Sequence, residues 1–219
     1  MMLAQKTLPI YLRVEPKPCL VVGGGPVARR KILWLLEAGA QVDVMASHFL
    51  PALNAMARHR SGQLQLHQGE YTSRDLSAYL IVIAATDQVT LNRQVAQDAR
   101  RAGVPVNVVD QPRLCSFYVP ATVRRGDLCL AVATGGACPA LAARIRRELA
   151  DRYPAWYGTF TTALARVRQW LATRSLSPEQ RRCMLGALSA PAMGDQLEKM
   201  ELDAMEQALR EKAQRMMNQ

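Results

Sequence analysis

The chain has 219 residues, 49% of them hydrophobic, which is enough for one ordinary domain plus a smaller appendage and excludes a disordered chain. Lys and Arg number 28 against 18 Asp and Glu, so the formal net charge of +10 favours an anionic partner such as nucleic acid, acidic lipid or a polycarboxylate. Cys19, Cys115, Cys129, Cys138 and Cys183 are odd in number and scattered, with no C-x-x-C pair, which argues against a zinc or iron-sulfur site and for a reducing compartment.

Metal ligands are accordingly not assigned. The first stretch, Met1 to Leu12, sets Gln5, Lys6 and Pro9 among apolar residues. That mixture has no sustained hydrophobic region, so neither a leader nor a membrane span is expected and the location expected is the cytoplasm.

From Cys19 to Val109 short apolar runs alternate with helical stretches, the pattern of crossover connections in a parallel sheet. The strands are expected at Cys19 to Val22, Gln41 to Met45, Leu64 to Gln68, Leu80 to Ala84 and Val104 to Val109. Helices are expected to start near Pro26, Pro51 and Val89. The two prolines suit a first helical turn, and Gly39 and Gly103 suit the exits.

The first strand runs through Gly23-Gly24-Gly25-Pro26-Val27-Ala28, a G-x-G-x-x-A turn. Gly23 permits the tight turn, Gly25 lets backbone approach a pyrophosphate, and Ala28 lets helix pack on strand. The helix N-terminus then offers unpaired N–H groups and a partial charge of about +0.5 to an anion. A tight strand-to-helix connection is the plainer alternative, but four further alternating units give the turn the context of a dinucleotide site.

The second strand lacks the terminal acid that grips the ribose of NAD: Met45, Ala46, Ser47 and His48 stand there, and Asp43 lies within the strand. Ser47 and His48 can bond the ribose instead, although His48 equally suits a surface position. No arginine offers a grip for a 2′-phosphate, so NAD is favoured over NADP. Asp110 directly follows the fifth strand, at the sheet edge where ligands collect, and is either a turn residue or a general base.

After Pro112 the texture changes. Phe117 to Val123 and Leu128 to Thr134 read as extended runs flanking Arg124, Arg125, Gly126 and Asp127, a hairpin that needs further strands, and a second copy of the chain is expected to supply them in a homodimer. Thr134-Gly135-Gly136-Ala137-Cys138-Pro139 is a plain loop or a cluster of N–H groups for carboxylates. Arg113, Arg124, Arg125, Arg144, Arg146 and Arg147 are solvated surface or a basic wall for a polycarboxylate. Helices are expected at Pro139 to Arg152, Trp156 to Arg174, Pro178 to Leu188 and Asp195 to about Met217, the last with a packing stripe of Leu197, Met200, Leu202, Met205 and Leu209.

Taken together, Val21 to Ala28, Ala84-Ala85-Thr86-Asp87, Asn107-Val108-Val109-Asp110, Ser116-Phe117-Tyr118-Val119-Pro120 and Thr134 to Pro139 make the chain resemble the precorrin-2 dehydrogenase and sirohydrochlorin ferrochelatase family over roughly residues 7 to 150. The resemblance implies an α/β fold: a Rossmann-like NAD-binding domain over 1–112, a small strand-and-helix dimerisation region over 113–150 and a helical C-terminal domain over 151–219. It implies oxidation of precorrin-2, a reduced tetrapyrrole with many carboxylates, to sirohydrochlorin, with hydride passing to NAD.

By position Asp110 matches the family's aspartate implicated in catalysis. Pro26, Val27, Ser47 and His48 match positions that contact NAD, Thr86 faces the cofactor beside Gly23, Gly24 and Gly25, and Arg113, Ser116, Thr134, Gly135 and Gly136 form the substrate-facing set. Some members also act as chelatases, with ferrous or cobalt ion as a second substrate. Cys138 replaces the usual serine or threonine and nothing aligns after about Asp151, which leaves chelation open. A chain ending at Gln219 is expected to lack the methyltransferase domain of the longer members.

Three other readings compete: a chelatase only, loading iron or cobalt into sirohydrochlorin with Asp110 taking up protons or guiding the metal; a Rossmann module that senses dinucleotide and regulates a partner; and a nucleic-acid binder. Few aromatic residues and no concentrated basic module argue against the nucleic-acid binder. No nucleic acid and no membrane are therefore expected as partners.

Overall fold

The computed structural model describes residues 6–190, 193 and 197–218, and it divides into two compact units, Lys6–Val119 and Pro120–Gln219. The first unit runs β1 (Pro18–Val22), α1 (Pro26–Glu37), β2 (Gln41–Ala46), α2 (Pro51–His59), β3 (Leu64–Gln68), β4 (Ile81–Ala84), α3 (Val89–Arg101) and β5 (Val106–Val108). All five strands are parallel, in the order β3-β2-β1-β4-β5. This is the expected Rossmann-like sheet.

The sequence builds it in two layers. Cys19 and Val21 of β1 point to one face, with Ala28, Ile32 and Leu35 of α1 and Leu53 of α2; Leu20 and Val22 point to the other, with Val95, Ala96 and Ala99 of α3. Burial on both faces explains why β1 reads as a continuous apolar run. Burial pushes the Cys19 thiol up to about 11, so it behaves as a small hydrophobe. Pro26 and Pro51 stand in first helical turns, and Gly39 and Gly103 leave helices at φ of +81° and +68°.

Two strands are shorter than the sequence suggests. Leu80 lies just before β4, and β5 covers only Val106–Val108. At its start Val104 N–H bonds to Ala99 O at 2.8 Å, closing the exit from α3; at its end Val109 already belongs to the turn that carries Asp110. Beyond that turn a short 3₁₀ helix, Pro112–Leu114, brings the chain back along β5. Ser116 N–H bonds to Val106 O at 2.8 Å, and Ser116 Oγ receives Val106 N–H at 2.7 Å. These bonds carry the first unit to Val119, past the boundary drawn at 112 from the sequence.

The second unit contains β6 (Ala121–Arg125), β7 (Leu128–Val132), α4 (Pro139–Arg152), α5 (Trp156–Ala172), α6 (Pro178–Leu188) and α7 (Leu202–Met217). Hairpin and helices share this unit, where the sequence suggested a break near 150. The turn is only Gly126-Asp127, so Arg124 and Arg125 lie in β6, and Phe117 to Pro120 are not strand. Gly126 at φ +54° occupies the first central position of a II′-like turn, and an added Cβ would meet Gly158 of α5 at 3.3 Å. Serine-capped α6 has the reciprocal Ser177–Gln180 box.

The last helix begins at Leu202 with Glu201 as N-cap, because residues 198–199 form a turn and 200–201 are irregular. Asp195, where the sequence placed its start, lies outside the described residues. Leu197, Met205 and Leu209 pack inward with Phe160, Val167, Leu171 and Leu188, whereas Met200 is exposed before the helix and leaves the expected stripe. Among the described residues no helix is long and apolar enough to cross a membrane.

Candidate functional site

The register of the parallel sheet sets one row of residues side by side: Met45 pairs with Val22, Val22 with Ala84, and Ala84 with Val108. The row beyond it is still tied together, by Gly23 N–H to Met45 O at 2.9 Å, Ala85 N–H to Val22 O at 2.8 Å and Val109 N–H to Ala84 O at 3.0 Å. One more residue along each strand gives Ser47, Gly24, Thr86 and Asp110. Four residues singled out separately from sequence therefore stand in order along the carboxyl edge. With strands about 4.8 Å apart, the carboxyl ends of β1 and β5 are about 10 Å apart across β4. The reversal of strand order between β1 and β4 makes this edge the ligand-binding crevice of such sheets.

Each glycine of the turn has its own reason. Gly23 has φ +132°, and a Cβ there would meet Ala85 O at 2.3 Å; on Gly24 it would meet His48 O at 1.9 Å. These two glycines let the loops after β4 and β2 close around the turn, which Leu50 N–H to Gly24 O at 3.1 Å ties down. A Cβ on Gly25 meets nothing within 4 Å. Gly25 is the N-cap of α1 with no side-chain cap, and Pro26 follows, so the N–H groups of Val27 and Ala28 point out of the first helical turn. Open space over Gly25 and uncapped donors are what a pyrophosphate requires, so these residues fit a dinucleotide.

Ser47 and His48 are both exposed, with Ser47 Oγ and His48 Nδ1 3.3 Å apart. Asp43 is engaged elsewhere. Its carboxylate takes the Tyr79 hydroxyl at 3.0 Å and lies 3.1 Å from His67 Nε2, which leaves it in the strand rather than at the ribose edge. Burial and the Asp43 charge push Tyr79 up to about 12.

Thr86 is held by a residue that the sequence did not single out. Asn92 is buried in the first turn of α3, and its Oδ1 accepts from Thr86 N–H at 3.2 Å and Thr86 Oγ1 at 2.8 Å, while its Nδ2 donates to Thr86 O at 3.0 Å. The spacing of six residues across a strand-to-helix turn was the available signal.

Asp110 is exposed and has φ +59°, the positive-φ exception to glycine among the described residues. Such a conformation in a side-chain-bearing residue costs about 1 kcal/mol or more and persists where the surroundings enforce it. Its carboxylate is open to solvent, so any desolvation has to come from a bound ligand. Beside the turn, burial raises the Cys115 thiol above its ordinary value, while burial and then Arg30 lower the Lys31 ammonium.

Arg113 is exposed on the 3₁₀ helix, and its carbonyl takes a bond from Arg100 at 3.3 Å. Ser116 does not present its hydroxyl to the edge, since its Oγ is spent on both polar groups of Val106. Arg125 likewise leaves the basic wall: its guanidinium donates to Tyr153 O at 2.9 Å and Ala150 O at 3.3 Å, capping the C-terminus of α4. Arg144 pairs with Glu148 on α4, and Arg124, Arg144 and Arg147 are exposed.

In the second unit Gly135 and Gly136 have φ of +61° and +83°. Thr134 Oγ1 accepts from Cys138 N–H at 3.1 Å, fixing an exposed loop at the uncapped start of α4. Among the described residues no three His, Cys, Asp or Glu side chains are grouped to hold a metal ion.

Fold and edge together define a dinucleotide-binding α/β domain followed by a hairpin-and-helix unit. The chain belongs to the putative NAD(P)-binding family, whose model matches residues 10–121, just over half of its length. A second model, sirohaem biosynthesis protein central, matches residues 125–152.

Relatives include the siroheme synthase of Methylobacillus flagellatus, 35% identical over 97% of this chain and 44% of that protein. The siroheme synthases of Methylococcus capsulatus and Pseudomonas fluorescens are 40% and 41% identical over 80% of this chain, covering 36% and 37% of their own lengths. The chain thus spans less than half the length of the curated relatives it matches. A solved structure titled SirC, precorrin-2 dehydrogenase, shares the fold with a TM-score of 0.75 at 24% identity, over 97% of this chain and all of that one.

Proposed function

We propose that this chain oxidises precorrin-2 to sirohydrochlorin with NAD as the oxidant. The observation that carries the reading is the carboxyl-edge row in which Gly24, Thr86 and Asp110 follow one register, with the open N-terminus of α1 beside them. Val27 and Ala28 N–H would hold the pyrophosphate, Ser47 and His48 would bond the ribose, and Thr86 would face the cofactor from the end of β4. NAD rather than NADP is taken because residues 46–50 offer no arginine for a 2′-phosphate.

When bound, NAD supplies the hydride acceptor. Oxidation of the macrocycle also releases a proton, which the Asp110 carboxylate would take up. Its exposed position allows it to pass that proton to water. The relatives named siroheme synthase and the fold shared with a precorrin-2 dehydrogenase support this substrate.

In the first unit exposed Arg113 is proposed to take a carboxylate of the macrocycle, and Ser116 is left out; in the second unit, considered by itself, the Thr134–Gly136 loop is proposed as a carboxylate-binding turn. The hairpin of β6 and β7, with Leu128, Leu130 and Val132 only partly buried, is proposed to pair with a second copy in a homodimer. A cytoplasmic location suits the five free cysteines.

Mixing the purified chain with NAD and precorrin-2 should yield NADH and sirohydrochlorin in equal amounts. Dinucleotide binding with no turnover of the tetrapyrrole would instead favour a sensing module. Sirohydrochlorin with ferrous or cobalt ion and no NAD tests chelation separately.

A further inference from the structure

The Asp110 turn is clamped by the segment that follows it. β5 is the last strand of the sheet, so the N–H groups on its outer side face no neighbouring strand. Side chains of the returning segment fill the gap: Val106 N–H meets Ser116 Oγ at 2.7 Å and Val108 N–H meets Cys115 Sγ at 3.2 Å. The same sulfur lies 3.3 Å from Val108 O, 3.5 Å from Gln111 O and 3.7 Å from Asn107 Nδ2. Asn107, itself buried, donates to Phe117 O at 3.0 Å and keeps the returning segment against β5.

Cys115 therefore touches the backbone on both sides of Asp110. The turn's own bond, Gln111 N–H to Val108 O, is long at 3.3 Å. A left-handed conformation at an aspartate needs more support than that, because the strain must be over-determined by its surroundings. A thiol is well suited here, since it donates weakly to one carbonyl, accepts from one N–H, and its large soft atom reaches both arms of the turn at once. Burial keeps it protonated, so the donor is present at neutral pH.

We propose that Cys115 is a positioning residue for the reaction, its thiol clamping Val108 and Gln111 so that the carboxylate of Asp110 leaves the sheet edge in one fixed direction. The inference rests on the role proposed for Asp110. Loosening the clamp lets the carboxylate sample wrong directions while the glycine turn, β2 exit and α1 stay as they are. The loss falls on kcat, with cofactor and substrate binding preserved.

The test uses the full chain with NAD and precorrin-2, comparing Cys115→Ala, Cys115→Ser and Asp110→Asn with Tyr71→Phe. The last removes a buried bond to Asp98 at the far end of α3 and serves as the folding control. Cys115→Ala is expected to lower kcat by about tenfold, the scale of a misdirected catalytic group, with KM for precorrin-2 and Kd for NAD within about twofold. Cys115→Ser, which keeps a donor and an acceptor, is expected to return kcat to within about threefold of the parent. Tyr71→Phe is expected to lose stability and keep kcat.

Amide hydrogen exchange supplies a readout independent of turnover: Val108 and Gln111 are expected to exchange faster in Cys115→Ala, and Leu20 at the parent rate. Parent kcat in Cys115→Ala, a kcat loss matched by Tyr71→Phe, or unchanged exchange at Val108 and Gln111 would each overturn the proposal. Should Cys115→Ala fail to fold, Cys115→Val keeps the buried volume without the donor and is judged by the same criteria. A parent enzyme that forms no NADH from precorrin-2 sinks the proposed function instead, and exchange at Val108 and Gln111 still decides the clamp.

Discussion

The two edges of the five-stranded sheet are built from similar residue types and put to opposite use. At the amino edge, where α3 ends, the buried Asp98 carboxylate takes the Tyr71 hydroxyl at 2.9 Å, the Ser73 hydroxyl at 2.9 Å and the Arg101 guanidinium. Burial opposes its charge, yet the bonds from Ser73, Tyr71 and Arg101 hold it below the ordinary carboxylate range. At the carboxyl edge Asp110 and the uncapped α1 terminus face solvent. A closed network holds a loop in place and can do little else; uncapped donors and an exposed carboxylate remain open to a ligand, as the proposed function requires.

Asp110→Asn should lower kcat by about a hundredfold or more, the usual worth of a placed general base, while NAD affinity measured by calorimetry stays as it was. Unchanged turnover would reduce Asp110 to a turn residue. Next come the glycines, which separate ligand from fold. Gly25→Val, at φ −89° and with open space above it, should fold normally and weaken NAD binding by about tenfold or more. Gly23→Ala, whose Cβ collides with Ala85 O, should lower thermal stability by about 2 kcal/mol or more before any ligand is added.

The amino edge gives smaller numbers. Tyr71→Phe should cost about 1 kcal/mol, the net worth of one buried hydrogen bond, with kcat unchanged. An activity loss there would break the division of labour between the edges.

pH acts on the sheet interior. The Cys19 thiol is pushed up to about 11 from 9.0, so the stability it contributes is fully present below pH 9.0 and is lost as pH rises towards 11. Asp98, held low, contributes stability present above its ordinary value of 3.8 and lost as pH falls below it. Denaturant midpoints measured across pH should fall at both ends. A midpoint that keeps rising above pH 9 would contradict the assignment to Cys19.

Much of the carboxyl edge was legible in the sequence, because its residues follow their strands directly. Gly23, Ser47, Thr86 and Asp110 each sit at the end of an apolar run, and parallel register does the rest. What escaped were partners made by the chain's return. Asn92 reaches Thr86 only because α3 starts where it does; Cys115 and Ser116 meet β5 only because the chain doubles back after Pro112. Arg125 looked like part of a basic wall until the hairpin laid it beside the end of α4. Residues 198–201 carry no strong helix breaker, so the turn before Leu202 was invisible to periodicity.

Backbone amide chemical shifts during an NAD titration distinguish the two edges of the sheet. Perturbations are expected at Gly24, Gly25, Val27, Ser47, Thr86 and Asp110, and none at Tyr71, Ser73 or Arg101. Saturable binding that leaves Gly25 and Asp110 unmoved, or that moves the amino edge instead, would contradict the proposed site.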